Sequence, residues 1–233
     1  PLLKLFTLSL ESSQFPHIWK ESFVIPLHKK GSKLDASNYR GISKLSAIPK
    51  LFENVITPHL QHLCRSIISP CQHGFMKRRS TTTNLLELTS FVIQGFKNNL
   101  QTDVIYTDFS KAFDSVNHYL LIRKLDLLGF PVDLLNWISS YLNGRTQQVL
   151  FKNSLSCILR VTSGVPQGSH LGPLLFTLFI NDLPLIIKHS RVLMYADDVK
   201  LCLQHKDTSC HLDLQSDLDR FQIWCRDNVL DLN

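Results

Sequence analysis

The sequence predicts an α/β protein, because segments with helical spacing alternate with short runs of strand-forming residues. The chain has 233 residues, of which 44% are hydrophobic, and this is enough for a sizeable core. Its longest apolar runs, such as LLFTLFI, fall far short of the roughly 20 residues that a membrane span needs. The sequence has no internal repeat and no linker-like stretch, so we expect one continuous domain.

The first hundred residues are predicted to be mostly helical. Residues 1–20 have helical apolar spacing, and ESFVIPLHKKGS predicts a strand that runs into a basic turn. KLSAIPKLFENVITPHLQHLC predicts a helix that is broken by Pro49 and Pro58. STTTNLLELTSFVIQGFKNN predicts a further helix, with Ser80 or a following threonine as its N-cap.

The rest of the chain mixes strands and helices. TDVIYTDF is rich in β-formers and predicts a buried strand, and a helix through SVNHYLLIRKLDLLGF follows it. VDLLNWISSYLNG predicts a shorter helix, RTQQVLF and CILRVTSG a hairpin, and GVPQGSHLGP a loop. LGPLLFTLFINDL predicts a buried helix, and RVLMYADDVKLCL predicts two strands that meet at paired acids. SCHLDLQSDLDRFQIWCRDNVL predicts an amphipathic helix.

The paired acids, Asp197 and Asp198, interrupt an apolar run. Both can reach one side of a sheet if they form a two-residue hairpin tip. Asp108 ends the strand TDVIYTDF, which we expect to neighbour the strand that ends at Tyr195. Three unpaired anions at one sheet edge are unfavourable unless a hard cation such as Mg²⁺ neutralises them. The alternatives are a solvated turn for the pair and a helix N-terminal acid for Asp108.

The basic residues are clustered. The net charge is +6 and the isoelectric point is about 9.0. Lys29, Lys30 and Lys33 share one short stretch, and the sequence KRR at residues 77–79 forms another. Such clusters favour a polyanionic partner, and a solvated face is the alternative.

The six cysteines are scattered without the spacing of a disulfide framework, so we expect a reducing compartment inside the cell. Cys202, His205, Cys210 and His211 lie close together in the chain. Their spacing differs from that of a standard zinc finger, so ordinary packing and surface roles are favoured over a zinc site.

Several stretches, in order, resemble the motifs of reverse transcriptases. YTDFSKAFDSVNH, SGVPQGSHLGPLLFTLFINDLP and MYADDVKL resemble the palm motifs of that family. IPLHKKGSKLDASNYRGIS and QHGFMKRRSTTTNL resemble the finger motifs of its non-LTR (LINE-like) retrotransposon branch, and FQIWCRDNVLDLN resembles the next palm segment of that branch. The resemblance runs from about residue 15 to residue 233, and the ordered set of motifs makes it specific.

The resemblance implies the fingers and palm of a right-hand polymerase, with an antiparallel palm sheet backed by helices and without a thumb. Residues 1–100 would form the fingers together with the N-terminal helix. Residues 101–233 would form the palm, with a finger insertion at about residues 130–160.

The resemblance also assigns roles to individual residues. Asp108, Asp197 and Asp198 match the catalytic acids, which hold two Mg²⁺ ions (Mn²⁺ being the alternative), and the backbone carbonyl of Phe109 would complete the shell of one ion. Phe113 falls where the family places an aromatic ring under the incoming sugar. The nucleotide-binding residues implied are Lys29, Lys30, Arg40, Phe113, Gln167 and Gly168. The nucleic-acid-binding residues implied are Lys33, Lys77, Arg78 and Arg79.

The sequence departs from the family pattern in three places. Gly41 stands where the family usually has proline, and this is expected to loosen that finger. Met76 stands where arginine is common, so Lys77 or Arg78 is expected to substitute for it. The chain stops before the lysine expected after LDLN and before the thumb, so we expect a piece of a longer protein that is weakly active or inactive on its own.

The expected function is RNA-directed DNA synthesis, in which the primer 3′-hydroxyl attacks a deoxynucleoside triphosphate. The expected partners are an RNA template, a DNA primer and the nucleotide, with no membrane. The resemblance implies the cytoplasm and nucleus as the location. The alternatives are an inactive retroelement relic that binds RNA, and a related enzyme such as a group II intron maturase or an RNA-templated RNA polymerase.

Overall fold

The computed structural model describes residues 1–206 and 211–233. The chain forms two compact units, each made from two separate stretches of chain. Unit 1 comprises Pro1–Leu63 and Val116–Leu175, and unit 2 comprises Cys64–Ser115 and Phe176–Asn233. Both units contain helices and a sheet, which confirms the α/β class. The division into fingers and palm stays a prediction.

The helices and strands have the following bounds in the described residues. The α-helices are α1 (Leu2–Glu11), α2 (Ala47–Leu63), α3 (Thr81–Lys97), α4 (Ala112–Ser115), α5 (His118–Leu127), α6 (Val132–Leu142), α7 (Leu171–Phe179), α8 (Leu183–Ile186) and α9 (His211–Asp227). The strands are β1 (Glu21–His28), β2 (Tyr39–Lys44), β3 (Gln101–Thr107), β4 (Thr146–Phe151), β5 (Ser154–Leu155), β6 (Leu159–Arg160), β7 (Arg191–Tyr195) and β8 (Asp198–His205). Short 3₁₀ helices span His17–Lys20, Ala36–Asn38 and Cys64–Ser66.

The sheet of unit 1 is built around β1. Strand β1 pairs antiparallel with β2, so that Leu27 faces Arg40, and parallel with β4, so that Glu21 faces Thr146. Both β5 and β6 pair antiparallel with β4, which confirms the hairpin predicted for this part of the chain. Strand β2 is therefore an edge strand of this sheet.

Aromatic side chains form the core of unit 1. The Phe52 ring stacks on Phe6 at 4.4 Å, and its edge-to-face partners include Trp19 at 5.8 Å and Trp137 at 5.7 Å between ring centres. Phe15 meets Trp137 edge to face at 5.6 Å. Ring pairs of this geometry contribute about 0.5–1.5 kcal/mol beyond the area that they bury.

Helix α2 runs without a break through Pro58, so the predicted interruption is wrong. Phe52, Ile56 and Leu60 are buried one turn apart and anchor one face of the helix in the core. Pro58 lies on the exposed face. Water can therefore satisfy the carbonyl of Asn54, which the missing proline N–H leaves without its helical partner.

The sheet of unit 2 has the order β3-β8-β7, with β8 in the centre and both pairings antiparallel. Strand β3 is an edge strand whose residues are half-buried or exposed, so the prediction of a buried strand is wrong. Helix α3 packs on this sheet, and Leu88 joins Leu193 and Cys202 in the buried cluster beneath it.

Two features of unit 2 show how local chemistry fixes its elements. Ser80 is the N-cap of α3, as predicted, and the structure adds a capping box between Ser80 and Thr83. Asp217 of α9 is fully buried, and its carboxylate accepts hydrogen bonds from the backbone N–H groups of residues 188–190. Burial alone would raise the pKa of Asp217, but these hydrogen bonds hold it below its usual value.

In the part of the chain that the structure describes, no helix combines the length and the apolar character that would let it cross a membrane. The apolar stretches LLFTLFI and LPLII fall mostly in α7 and α8, which have nine and four residues.

Candidate active site

Asp108 and Asp198 lie at the same end of the unit 2 sheet. Thr107 at the end of β3 faces Val199, so the next pair in this antiparallel register is Asp108 opposite Asp198, the first residue of β8. The expected neighbour of β3 was the strand that ends at Tyr195, which is β7. That expectation is wrong, because β8 lies between them. With β8 as its neighbour, β3 ends with Asp108 beside Asp198, one of the paired acids.

The turn between β7 and β8 holds the third acid. Tyr195 pairs with Asp198, so the two turn residues are Ala196 and Asp197. The prediction that Asp197 and Asp198 form the tip is therefore off by one residue. Ala196 has a positive φ of 53°, which a two-residue hairpin needs and which a residue with a Cβ rarely adopts. Asp197 is half-buried, and Asp108 and Asp198 are exposed.

Gln72 holds this turn in place. Its side chain is fully buried, its Nε2 donates to the carbonyl of Ala196 at 3.3 Å, and its Oε1 accepts from the N–H of Ala196 at 2.9 Å. Residues 71–73 also bond to Met194 of β7 through the backbone. Gly74 follows, and a Cβ at Gly74 would collide with the backbone nitrogen of Ala196. The segment 71–74 thus packs closely against the strained turn and satisfies its backbone groups.

The electrostatics of the acids are unfavourable without a counter-charge. Although Asp198 as a residue is exposed, its carboxyl loses part of its contact with water. This partial burial, and then the neighbouring charge of Asp108, raise the pKa of the Asp198 carboxyl, and the charge of Lys200 offsets them in part. The Lys200 ammonium is already bonded to Asn84 Oδ1 at 2.6 Å. Hard divalent cations prefer carboxylate oxygens, and a pair of facing carboxylates at a sheet edge suits such an ion.

The residue that follows Asp108, Phe109, is held by contacts within unit 2. The Phe109 side chain is buried between Phe221 and Trp224 of α9, at 5.9 Å and 6.2 Å between ring centres. Phe109 also bridges to Leu232 through the backbone. Asn233 donates from its backbone N–H to the Asp108 carbonyl at 2.9 Å. The end of β3 is therefore fixed by packing and by main-chain bonds together.

Phe113 lies in α4, just after this point. Its ring stacks on the buried Phe176 at 4.5 Å and 24°, and it meets Phe75 edge to face at 6.0 Å. Part of its surface is left exposed. Phe113 is therefore a rigidly held ring rather than a fully buried core residue.

Four of the predicted phosphate-binding or nucleic-acid-binding residues come together in unit 1. Lys29, Lys30 and Lys33 are exposed in the loop between β1 and β2, and Arg40 is exposed on β2 opposite Leu27. Gly41 is paired with Pro26 in the strand, and a Cβ there would press on Val24. Strand β2 therefore stays regular at the position where the family usually has proline.

The predicted loop of Gln167 and Gly168 packs against the same strand. Ser43 of β2 donates from its N–H to the Gln167 carbonyl at 2.7 Å. Gly168 has a φ of 109°, and a Cβ there would meet the Ser43 carbonyl oxygen at 2.9 Å. Within unit 1, the structure thus joins this loop to the strand that carries Arg40.

Glu53 fixes the far end of that loop. It is fully buried, and its Oε2 accepts from the N–H of His170 at 2.8 Å and of Leu171 at 3.3 Å, at the start of α7. Burial raises the pKa of the Glu53 carboxyl. A carboxylate at a helix N-terminus is favoured by the unpaired N–H groups there.

The basic stretch of residues 77–79 lies in unit 2, and its three side chains differ in what they contact. Lys77 and Arg78 are exposed. The Arg79 guanidinium instead donates to the carbonyls of Pro70 and Gln72, next to the segment that holds the turn. Its role toward nucleic acid stays a prediction, and the structure gives it a role within the fold.

The four residues weighed as zinc ligands do not form one cluster in the described structure. Cys202 is buried in the core, where burial raises the pKa of its thiol to about 11, and Cys210 lies outside the described residues. His205 and His211 lie together beside Asp103.

Gln72, Gly74 and Glu53 are the residues that sequence reasoning missed. Gln72 bonds to a turn 124 positions away, and Glu53 to a loop 117 positions away. Local periodicity carries no information about such pairs. The sequence offered one signal for Gln72 and Gly74, because the stretch QHGF that contains them lies within a finger motif.

Comparison with known proteins identifies the family of this chain. The family described as "Reverse transcriptase (RNA-dependent DNA polymerase)" matches residues 27–233. The chain is 33% identical over its whole length to the probable RNA-directed DNA polymerase from transposon BS of Drosophila melanogaster. It is 32% identical, over 96% of its length, to the RNA-directed DNA polymerase from the mobile element jockey of the same species. It spans about a quarter of these relatives, 27% and 25% of their lengths.

Solved structures agree at the level of the fold. Apo telomerase from Candida tropicalis, truncated from its C-terminal domain, matches 93% of this chain and 49% of its own length with a TM-score of 0.64 at 11% sequence identity. Full apo telomerase from the same organism matches with a TM-score of 0.63. The family match, the mobile-element relatives and the order of the motifs agree, so the chain belongs to the reverse transcriptase family, in its non-LTR retrotransposon branch.

Proposed function

We propose that this domain synthesises DNA on an RNA template by transferring nucleotides from deoxynucleoside triphosphates to a primer 3′-hydroxyl. The observation that carries this proposal is the register of β3 and β8. Its last pair, Thr107 and Val199, leaves Asp108 and Asp198 at the same end of the sheet, close enough for their charges to interact, with Asp197 in the adjoining turn. The family membership supports the same reaction. Residues 101–233 would act as the palm and residues 1–100 as the fingers, with a finger insertion at about residues 130–160.

The residues present fit a divalent metal. Asp108 and Asp198 offer hard oxygen ligands. Partial burial and then the charge of Asp108 raise the pKa of Asp198, and a bound cation would offset both effects. Asp108, Asp197, Asp198 and the carbonyl of Phe109 would hold two Mg²⁺ ions. When bound, such ions lower the pKa of the attacking hydroxyl and neutralise the charge of the triphosphate. Mn²⁺ is the alternative ion.

The protein itself contributes positioning and charge. Lys29, Lys30 and Arg40 would bind the triphosphate, and a guanidinium fork suits phosphate oxygens. Gln167 and Gly168 would line the nucleotide and template, on a loop that Ser43 and Glu53 hold at both ends. Lys33, Lys77, Arg78 and Arg79 would bind the nucleic-acid backbone. The reaction would take place in the cytoplasm or nucleus, where the RNA template and the DNA are found.

Primer extension on an RNA template tests the proposal. The chain is expressed with the remainder of its reading frame and compared with Asp108→Asn, Asp197→Asn and Asp198→Asn. Loss of one metal ligand removes several kcal/mol of transition-state stabilisation, so we expect incorporation to fall by about 1,000-fold. Asp126→Asn, which changes an exposed acid of α5, is the matched control.

Binding of an RNA–DNA duplex should persist in all four variants. Incorporation within tenfold of the unmodified protein in the three acid variants contradicts the catalytic assignment. An unmodified protein that binds the duplex and incorporates nothing corresponds to the inactive relic.

A further inference from the structure

A second group of metal-ligating side chains lies at the opposite end of the unit 2 sheet from the acids. Asp103 comes from the start of β3, His205 from the end of β8 and His211 from the start of α9. One donor atom of each residue lies within 4.8 Å of the others. Nε2 of His205 is 2.7 Å from Oδ2 of Asp103, and Nδ1 of His211 is 3.6 Å from the same oxygen.

The group is supported by its surroundings. The His205 side chain is 2% exposed and therefore has a fixed position, whereas His211 is 53% exposed and gives access from solvent. Gln101 donates from Nε2 to Oδ1 of Asp103 at 2.8 Å, which orients the carboxylate and leaves Oδ2 toward the two imidazoles. Outer hydrogen bonds of this kind orient the ligands of metal sites and tune their affinity.

The donor set selects a class of metal. Two imidazole nitrogens with one carboxylate oxygen suit Zn²⁺, whereas Mg²⁺ prefers oxygen ligands alone. We propose that Asp103, His205 and His211 form a Zn²⁺ site that is separate from the proposed catalytic metals. Three protein ligands leave one tetrahedral position for water or an external group.

The geometry requires only small adjustments. Donors around a tetrahedral Zn²⁺ lie about 3.3 Å apart, given bond lengths of about 2.0–2.1 Å. The 2.7 Å contact between Asp103 and His205 must open slightly, and no donor separation exceeds 4.8 Å, so none has to close by more than about 1.5 Å. The exposed His211 can supply most of this movement, because its ring is the least confined of the three.

The position of the site gives it a stabilising role. Asp108 follows Asp103 by five positions along the chain, which at about 3.3 Å per residue places the group roughly 17 Å from the acids. Zinc bound there would join the outer ends of β3 and β8 to the start of α9. Because it would bind the folded state, it should stabilise the protein by mass action.

Calorimetric titration with Zn²⁺ and thermal unfolding, without nucleic acid or nucleotide, test the proposal. We expect one zinc ion per chain and a higher midpoint of unfolding when zinc is present. His211→Ala removes an exposed ligand and should leave the fold intact. His211→Ala and Asp103→Asn should each weaken the zinc affinity by at least about tenfold and remove the rise in midpoint, because changes even in outer-shell partners cost this much.

His189→Ala is the matched control. His189 makes a comparable exposed pair with Asp213 at 3.7 Å, but among the described residues it belongs to no group of three metal-ligating side chains. It should bind zinc as the unmodified protein does, and so should Asp108→Asn. An excess of Mg²⁺ should not displace the zinc. Equal zinc affinity in His211→Ala and the unmodified protein, or loss of zinc in Asp108→Asn alone, would overturn the proposal without bearing on the polymerase function.

Discussion

At the scale of single residues, the most specific prediction concerns Phe113 and the choice between deoxyribonucleotides and ribonucleotides. Phe113 lies five residues after Asp108. Its ring stacks on Phe176 and meets Phe75 edge to face, and part of it remains exposed. A rigid ring in this position can press against C2′ of an incoming sugar. A deoxyribose fits there, whereas a ribose hydroxyl would clash or lose its water without gaining a partner.

We therefore expect Phe113→Val to raise ribonucleotide incorporation while deoxynucleotide incorporation stays nearly unchanged. Steric exclusion of this kind is worth about 1–3 kcal/mol, or roughly 10–100-fold in the ratio of rates. Single-nucleotide extension with each sugar measures the ratio, and Phe96→Val, at an exposed phenylalanine of α3, is the control. If Phe113 only supports the fold, both rates fall together and their ratio does not change.

At the scale of elements, the β7–β8 turn depends on a segment far away in the sequence. Ala196 adopts a positive φ, and Gln72 satisfies its N–H and its carbonyl inside the protein. Strained backbone persists only when its surroundings hold it in place. Gln72 is therefore a positioning residue for Asp197 and Asp198, which directly follow Ala196 in the chain.

Gln72→Met keeps the side-chain length and removes these hydrogen bonds. Each buried backbone group that is left unpaired costs about 1–3 kcal/mol, so we expect both lower stability and a displaced turn. At a temperature well below unfolding, kcat should fall about 10–100-fold, since misplacement by about an ångström has effects of this size. The Mg²⁺ concentration for half-maximal activity should rise.

Gln94→Met, at an exposed glutamine of α3, is the control for this substitution. A loss of stability in Gln72→Met with an unchanged kcat and unchanged Mg²⁺ dependence would show that Gln72 only supports the fold.

The elements also show what the sequence could predict. The strands β7 and β8, the helix α3 and its Ser80 cap were predicted because each depends on residues close together in the chain. The pairing of β3 with β8 was not, since two apolar strands offer no local signal of which one lies in the centre. The continuous α2 was missed because its stability comes from packing around Phe52, which outweighs the cost of an exposed Pro58.

The candidate site likewise has a part that the sequence could predict and a part that it could not. The motifs pointed to Asp108, Asp197 and Asp198, because the resemblance depends on short ordered stretches of sequence. The way in which Gln72 and Phe109 hold these acids could not be predicted, because they act through contacts with Ala196 and with α9 that only the folded chain creates.

At the scale of the whole molecule, the positive charge should dominate nucleic-acid affinity. The chain carries a net charge of +6, and Lys29, Lys30 and Lys33 share one exposed loop. We expect binding of an RNA–DNA duplex to weaken steeply with salt, because each neutralised phosphate releases counterions. Replacing these three lysines by alanine should reduce the slope of log K against log salt by about 2–3.

Fluorescence anisotropy over a series of salt concentrations measures this slope. Alanine at the exposed Lys4, Lys50 and Lys97 gives a control with the same change in net charge. If both triple variants lose the same slope, the loop acts only through net charge and is not a contact with the phosphate backbone.

The interleaving of the two units sets the order in which a nascent chain can fold. Unit 1 has all of its segments once residue 175 has left the ribosome, whereas unit 2 waits for its second segment, residues 176–233. Thr107 and its partner Val199 are 92 positions apart, so at 5–20 residues per second β3 waits roughly 5–20 seconds for β8. Until then the strand that leads to Asp108 is an unpaired edge, and Asp108 can meet Asp197 and Asp198 only after β8 has been synthesised.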